Sequence, residues 1–259
     1  MPRGGNTTNM DVVLKIMGGS LGLLVPCLFV IALAKGIERA PLDAAKKASS
    51  RSWIMGLVTC WTIAVWALSL AGTFSFHAGD KIPRVLIPLF VPVLVGLGAL
   101  ASRDFRAVLD HTPLATLVGV QSFRFAGAAF LLVVHLGILP GAFDTGGYGD
   151  LITASLAVIA SLLLMRGPIA IGLAAFWGFT LAGLFDLLNV AYLILRYYPI
   201  WYSDAPSSGA LSDFALIMIP AVAAPLALLL HTYAIRSVLQ PATHTMATVA
   251  PTSAGAARS

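Results

Sequence analysis

Three side chains in the run "TLVGVQSFRFAGAAFLLVVHLGILP" stand out from the apolar residues around them: Gln121, Arg124 and His135. On an α-helix, at ~100° per residue, Arg124 and His135 point within about 20° of each other, three turns apart, and Gln121 lies about 60° away. They share one stripe, on which Gly127 and Ala128 leave room for a neighbouring helix or a ligand. A guanidinium keeps its charge, so in an apolar setting Arg124 requires an anionic or strongly accepting partner. The best internal carboxylate is Asp186 in "FDLLNVAY", with Asn189 one turn further on. If the two pair, the ion pair serves structure as readily as function. If Arg124 faces a cavity instead, it is equipped to hold the carboxylate or phosphate of an anionic solute.

A second constellation lies in "LPGAFDTGGYGDLITASLAV", where a glycine-rich stretch runs into an apolar segment and Asp150 sits at the junction. A carboxylate at a helix N-terminus caps free amides and favours the dipole, and the glycines allow a tight turn. The other reading makes Asp150, with His135, a pH-sensitive entrance to a site. His77 in "FSFHAGDK" is expected at the same surface, and His231 in "LLLHTYAIRS" toward the opposite one.

The elements that must position these residues follow from composition. Of 259 residues 58% are hydrophobic and 10% charged, and the mean hydropathy is +0.90; soluble domains carry about 25% charged residues. Long apolar runs recur, each near the ~20 residues that cross a bilayer core. The chain reads as an all-α polytopic membrane protein, without the alternation of a membrane β-barrel. Seven spans are expected: Asp11–Ala34, Trp53–Phe76, Arg84–Ala101, Pro113–Leu139, Gly149–Met165, Pro168–Arg196 and Ser212–Ser237. The third is interrupted by Pro88 and Pro92. Residues 1–10 form an outer segment, 11–239 the membrane domain and 240–259 a disordered cytoplasmic tail.

The net charge of +5 does not indicate a nucleic-acid partner, because the basic residues sit in short loops between apolar runs. With the N-terminus outside, Lys35, Arg39, Lys46, Lys47, Arg51, Arg103, Arg106, Arg166 and Arg236 fall inside, against Arg3, Lys81, Arg84 and Arg196 outside. This bias and the aromatic "RYYPIWY" predict an N-out, C-in protein of a bacterial-type inner membrane. Cys27 and Cys60 lie within apolar runs and are expected to be small buried hydrophobes.

Several resemblances bear on function. "LIPLFVPVL" and "MIPAVAAPLAL" each follow an Ile-Pro with a second proline, as if spans one to three and five to seven were parallel units joined by the fourth. Seven-helix sugar transporters of the SWEET type resemble this three-plus-one-plus-three plan. Rhodopsins share the helix count and orientation, but the last span has no lysine for a Schiff base, so this is not a retinal protein. Gly147-Tyr148-Gly149-Asp150 resembles the G-x-G-D motif of intramembrane aspartyl proteases, with Asp186 as the second carboxylate and "APLALLL" resembling their Pro-Ala-Leu segment. In those families the partner aspartate precedes the motif, follows a tyrosine, and both lie within the membrane. Here Asp186 comes later, follows Phe185, and Asp150 is expected at a helix start. The pattern "QSFR…LP…GYGD" also resembles uncharacterised bacterial membrane proteins and carries no function with it.

The expected function is binding or translocation of a small polar solute or ion in the outer half of a seven-helix bundle. Arg124 is the anion contact, Asp186 and Asn189 its partners, Gln121 lines the path, and His135 with Asp150 guards the entrance. Two alternatives stand beside it. One is an accessory subunit of a larger membrane assembly or homo-oligomer, docking through small-residue runs such as "GGSLG" and "GLGALA". The other is an enzyme-like protein, either the protease or a b-type haem or metal protein using His77 and His135. No cofactor is specified by the sequence.

Overall fold

The structure, a computed structural model, describes residues 6–240. Residues 1–5 of the N-terminal segment and 241–259 of the expected tail lie outside that range. Every regular element among the described residues is helical: α1 (Asn6–Arg39), α2 (Ala44–Leu70), α3 (Leu86–Ala99), α4 (Arg103–Asp110), α5 (Leu114–Gly119), α6 (Ala128–His135), α7 (Asp144–Arg166), α8 (Ile169–Arg196) and α9 (Ala224–Leu239). Val120–Gly127 is a 3₁₀ segment that joins α5 to α6, and a π-helical turn, Ile219–Ala223, leads into α9. Six helices are long and apolar enough to cross a membrane, or seven if α3 and α4 count as one broken span.

That broken unit departs from the expected third span. Helix α3 has 14 residues, and at ~1.5 Å per residue it falls short of a ~30 Å hydrocarbon core. The chain then bends by 92° into α4, which carries Arg103, Asp104, Arg106 and Asp110 on one side and buries Val108 and Leu109 on the other. Ser102 caps α4 by accepting the Phe105 amide at 3.3 Å, and Asp43 caps α2 by accepting the Lys46 amide at 2.8 Å.

Helix ends and connections meet in two groups. Lys46 approaches Asp104 at 3.8 Å and Arg236 bonds Asp110 at 2.5 Å, which gathers the α1–α2 connection, α4 and the end of α9 at one end. At the other end Ser75 donates to Asp213 at 2.6 Å, and Phe76 meets Tyr198 edge-on. The two proline-containing segments pack against each other, the Tyr233 hydroxyl donating to the Gly96 carbonyl at 2.9 Å. The small-residue runs are used internally in part: Gly18 faces Ala215, a Cβ on Gly22 would lie 2.7 Å from the Trp66 ring nitrogen and one on Gly96 would meet Leu229, whereas Gly19 and Gly98 face open space. Cys27 and Cys60 are exposed on α1 and α2 rather than buried, because the apolar runs that hold them turn those faces away from the rest of the chain.

The connection from α2 to α3 is organised by Asp80. Helix α2 ends in a Schellman turn, with Gly72 at φ +71° and the Thr73 amide bonded back to the Leu68 carbonyl. Asp80 then accepts the His77 amide at 2.9 Å and the Arg84 guanidinium at 2.7 and 3.1 Å. The His77 amide first, and the Arg84 hydrogen bonds second, hold the Asp80 carboxyl below its ordinary value of 3.8. A depressed carboxylate favours the folded loop at neutral pH, and that contribution disappears only as pH falls through the lowered value. A carboxyl-carbon NMR titration of Asp80 is expected to give a midpoint below 3.8, and Asp80→Asn is expected to abolish it. A midpoint at or above 3.8 contradicts the contact.

Candidate functional site

The 3₁₀ segment decides which residues of the fourth apolar run meet. With ~3.0 residues per turn, Gln121, Arg124 and Gly127 fall one above another on a single face, and all three are buried. Returning to α geometry at Ala128 then carries His135 about 80° away from Arg124 rather than 20°. His135 is accordingly exposed, at the last turn of α6 before the Schellman turn at Gly137 (φ +71°). The expected stripe of three polar residues is therefore corrected: two of its members share a face and His135 does not. A 3₁₀ run of eight residues is longer than the usual three or four, a feature of hinges and functional segments.

Asp150 is not a helix cap. Helix α7 begins at Asp144, so "DTGGYGD" forms its first two turns and Asp150 projects from the second. The glycines make no tight turn; they let neighbours approach. Gly127 faces Asp150, Gly147 faces Leu131 on α6, and Gly149 faces Asp186 on α8. Further along the same seam Thr153, Ala154, Ala157 and Ala160 are buried, continuing the small-residue contact between helices.

Arg124 sits between two carboxylates. Its Nε donates to Asp150 Oδ1 at 2.6 Å, its Nη2 to Asp186 Oδ2, and its Nη1 to the Gly183 carbonyl at 3.3 Å. The side chains of Arg124, Asp186 and Asp150 are 2%, 5% and 16% exposed. With both carboxylates ionised the triad carries one negative charge in excess, and a buried net charge is costly unless something neutralises it. Asp186 Oδ1 is buried and takes no hydrogen bond from the protein. A cavity of about 50 Å³ lies alongside, lined by all three members of the triad together with Gly127, Leu21 and Ala227; that is room for a few water molecules or a small ion.

Close packing of glycine against carboxylate makes a sharp prediction. A methyl on Gly149 would lie 2.6 Å from Asp186 Cγ, and one on Gly127 2.7 Å from Asp150 Cγ. Gly149→Ala and Gly127→Ala are each expected to cost about 1–3 kcal/mol by overpacking. Gly178→Ala, where an added Cβ meets nothing within 4 Å, is neutral or stabilising because mid-helix glycine is costly by about 0.5–1 kcal/mol. Thermal unfolding in detergent separates the three variants, and equal midpoints contradict the packing described.

The polar region extends beyond the triad in a direction the sequence did not indicate. Thr180, Gly183 and Asp186 follow one another at three-residue spacing on α8. His231 of α9 stacks on Phe179 at 4.8 Å. A Cβ on Gly183 would lie 2.7 Å from His231 Cε1 and 3.0 Å from Thr153 Cγ2. Gln121, Thr153, Thr180 and His231 are all buried, with polar side-chain atoms that take no protein partner. His231, expected apart from the other polar groups, thus abuts the residue whose carbonyl receives Arg124. Only the spacing from Asp150 to Thr153 and from Thr180 to Asp186 carried a trace of this in the sequence.

The remaining candidates lie apart. Asn189 is half-buried and donates to Thr145 Oγ1 at 3.0 Å, on the outer edge of the α7–α8 seam. His77 is exposed, its Nδ1 2.8 Å from the Ser75 carbonyl within its own loop. Among the described residues no group of three or more His, Cys, Asp or Glu side chains is placed to hold a metal ion. Asp150 and Asp186 do approach each other from adjacent helices as a protease pair would, and Asp150 lies within its helix as that motif requires. The Arg124 guanidinium, however, fills the space where paired catalytic carboxylates would share a water.

Comparison with known proteins adds one finding. The profile of a family described as a domain of unknown function, DUF8737, matches residues 86–239. The chain belongs to that family. The matched region runs from α3 to α9, so it contains the whole triad, the 3₁₀ segment and His231, and leaves out α1 and α2. No curated protein and no solved structure matches the chain.

Proposed function

We propose that this DUF8737 member is a seven-span membrane protein, with α3 and α4 forming the third span, that binds or translocates a small polar solute or ion at the Arg124–Asp150–Asp186 site. The reading keeps the N-terminus outside and places the chain in a bacterial-type inner membrane. It is supported by the Lys and Arg bias of the connections and by the gathering of the α1–α2 connection, α4 and the end of α9 at one end. Arg124 lies halfway along the apolar stretch Leu114–His135, where an ionised group is expensive and marks a functional site by default.

The single observation that carries the proposal is one guanidinium shared by two buried carboxylates beside a small cavity. It also shifts the ligand class. An anionic solute at Arg124 would have to displace Asp150 or Asp186, so the anion-contact role gives way to a cation-type one. The excess negative charge and the free Asp186 Oδ1 suit one proton or one monovalent cation, moved alone or with a solute. A second reading, an accessory subunit, draws on α2, whose most apolar stretch is 17% buried and is available to a partner.

Flux into reconstituted vesicles tests the first reading. Vesicles holding a pH-sensitive dye, or an alkali-cation dye in parallel, are expected to equilibrate an imposed gradient faster with the protein than without it. Protein-containing vesicles that stay as tight as empty ones, across candidate solutes, would sink the proposal.

A further inference from the structure

A second cavity lies away from the triad, between α2 and α3, with α9 as its floor. It encloses about 660 Å³, within the about 300–1,000 Å³ of ligand sites. Its walls are apolar: Leu57 and Trp61 from α2, Val91 and Val95 from α3, Leu226 and Leu229 from α9. Trp61 is fixed in the wall, its ring nitrogen donating to the Ala221 carbonyl at 2.8 Å. Along α2 the groove runs from Ser49 to Ala64, which is ~22 Å of helix. One leaflet contributes ~15 Å to the hydrocarbon core, so a whole acyl chain fits lengthwise.

The two ends of the groove differ. The far end carries one hydroxyl, that of Thr62, which donates to the Val58 carbonyl at 2.9 Å within its own helix, whereas Ser49, Ser50, Ser102 and Asp104 line the end nearest the α1–α2 connection. Neighbouring these residues in the chain are Lys46, Lys47, Arg51, Arg103 and Arg106, against Glu38, Asp43 and Asp104, with Lys46 3.8 Å from Asp104 and Arg51 3.7 Å from Glu38. Lys47 and Arg106 direct their donors to backbone carbonyls of Glu38, Leu100 and Ala101, which leaves their charge uncompensated. An apolar trough with a hydroxyl-lined, cationic mouth matches an amphiphile with a long tail and a negative head.

We propose that the groove between α2 and α3 holds one acyl chain of an anionic phospholipid, whose head group lies at the mouth against Lys46, Ser50, Ser102 and Arg103. The inference rests on the chain's lying in a bilayer and is independent of the chemistry at Arg124. Helix α2, which packs directly on α1, then meets α3 through lipid, in keeping with the small share of it that other helices bury.

Tryptophan quenching reads the occupant directly, because Trp61 lines the groove. The chain, with phenylalanine at Trp53, Trp66, Trp177 and Trp201, is placed in phosphatidylcholine vesicles holding a minor fraction of lipid with brominated chains. Brominated phosphatidylglycerol is expected to quench Trp61 more strongly than brominated phosphatidylcholine at the same fraction. Lys46→Gln and Arg103→Gln are each expected to lower that preference about fivefold. Native mass spectrometry of the unsubstituted chain, in which a phosphatidylglycerol adduct should survive and weaken in the same two variants, covers the case where the tryptophan replacements fail to fold. Equal quenching by the two lipids means ordinary boundary lipid and overturns the proposal, as does a preference that both substitutions leave intact. Absence of quenching together with a dimer mass overturns it in favour of a second copy of the chain in the groove.

Discussion

Arg124→Leu is expected to destabilise the protein by about 3–5 kcal/mol, the usual consequence of removing one partner from a buried ion pair. Leucine leaves Asp150 and Asp186 facing each other across a buried seam with no donor between them, and the Gly183 carbonyl loses its bond as well. The loss comes from orphaned charge rather than from missing attraction, so it is reversible by removing the charge. The triple variant Arg124→Leu, Asp150→Asn, Asp186→Asn is therefore expected to recover most of the stability. Arg124→Lys should fall between, because one ammonium lacks the planar fork that reaches two carboxylates and a carbonyl at once. Thermal unfolding in detergent micelles orders the four proteins, and a triple variant no better than the single one contradicts the account.

Asp186→Asn is expected to separate folding from function. The substitution leaves one guanidinium with one carboxylate, a neutral pair, and asparagine still accepts from Nη2 through its carbonyl oxygen. Stability is expected to stay within about 1 kcal/mol of the parent or to rise, since a buried excess charge has been removed. Ion movement should fall at least tenfold, on the order of 1.4 kcal/mol in the barrier, because the triad no longer needs a proton or cation to balance it. A purely structural clamp predicts the reverse pattern: a change in unfolding midpoint with no flux to lose. Measuring both quantities on one preparation distinguishes the two roles.

What the sequence made legible was decided by composition and period. Apolar runs interrupted by Lys and Arg predicted an all-helical chain of seven spans, where the structure has six or seven elements long enough to cross a bilayer, and Asp186 stood out as a candidate partner for Arg124 because each is alone of its sign in its run. The failures share one cause, local backbone geometry that residue type does not announce. Nothing in "VQSFRFAG" signals a 3₁₀ segment, yet that change of pitch takes His135 off the Arg124 face and aligns Gln121 with it. Glycines in "DTGGYGD" read as a turn because glycine is common in turns. In the fold they serve a different need, the close approach of Leu131, Asp186 and Val190 to α7. Helix α4 falls, by sequence, in the connection after the third span, because Arg103, Asp104 and Arg106 interrupt the apolar run, although the chain forms a helix there beyond a 92° bend. His231 could not be placed without knowing which face of α9 meets Gly183.

The sharing of a single guanidinium between both carboxylates underlies the stability series and the ion count alike. Solid-state NMR of the protein in lipid bilayers, with ¹⁵N-labelled arginine and ¹³C-labelled aspartate, reports it as dipolar coupling between the Arg124 nitrogens and the carboxyl carbons. The structure predicts two couplings, one lost in Asp150→Asn and the other in Asp186→Asn, each leaving its companion in place. A single coupling, or both vanishing together in either variant, would contradict a shared arginine.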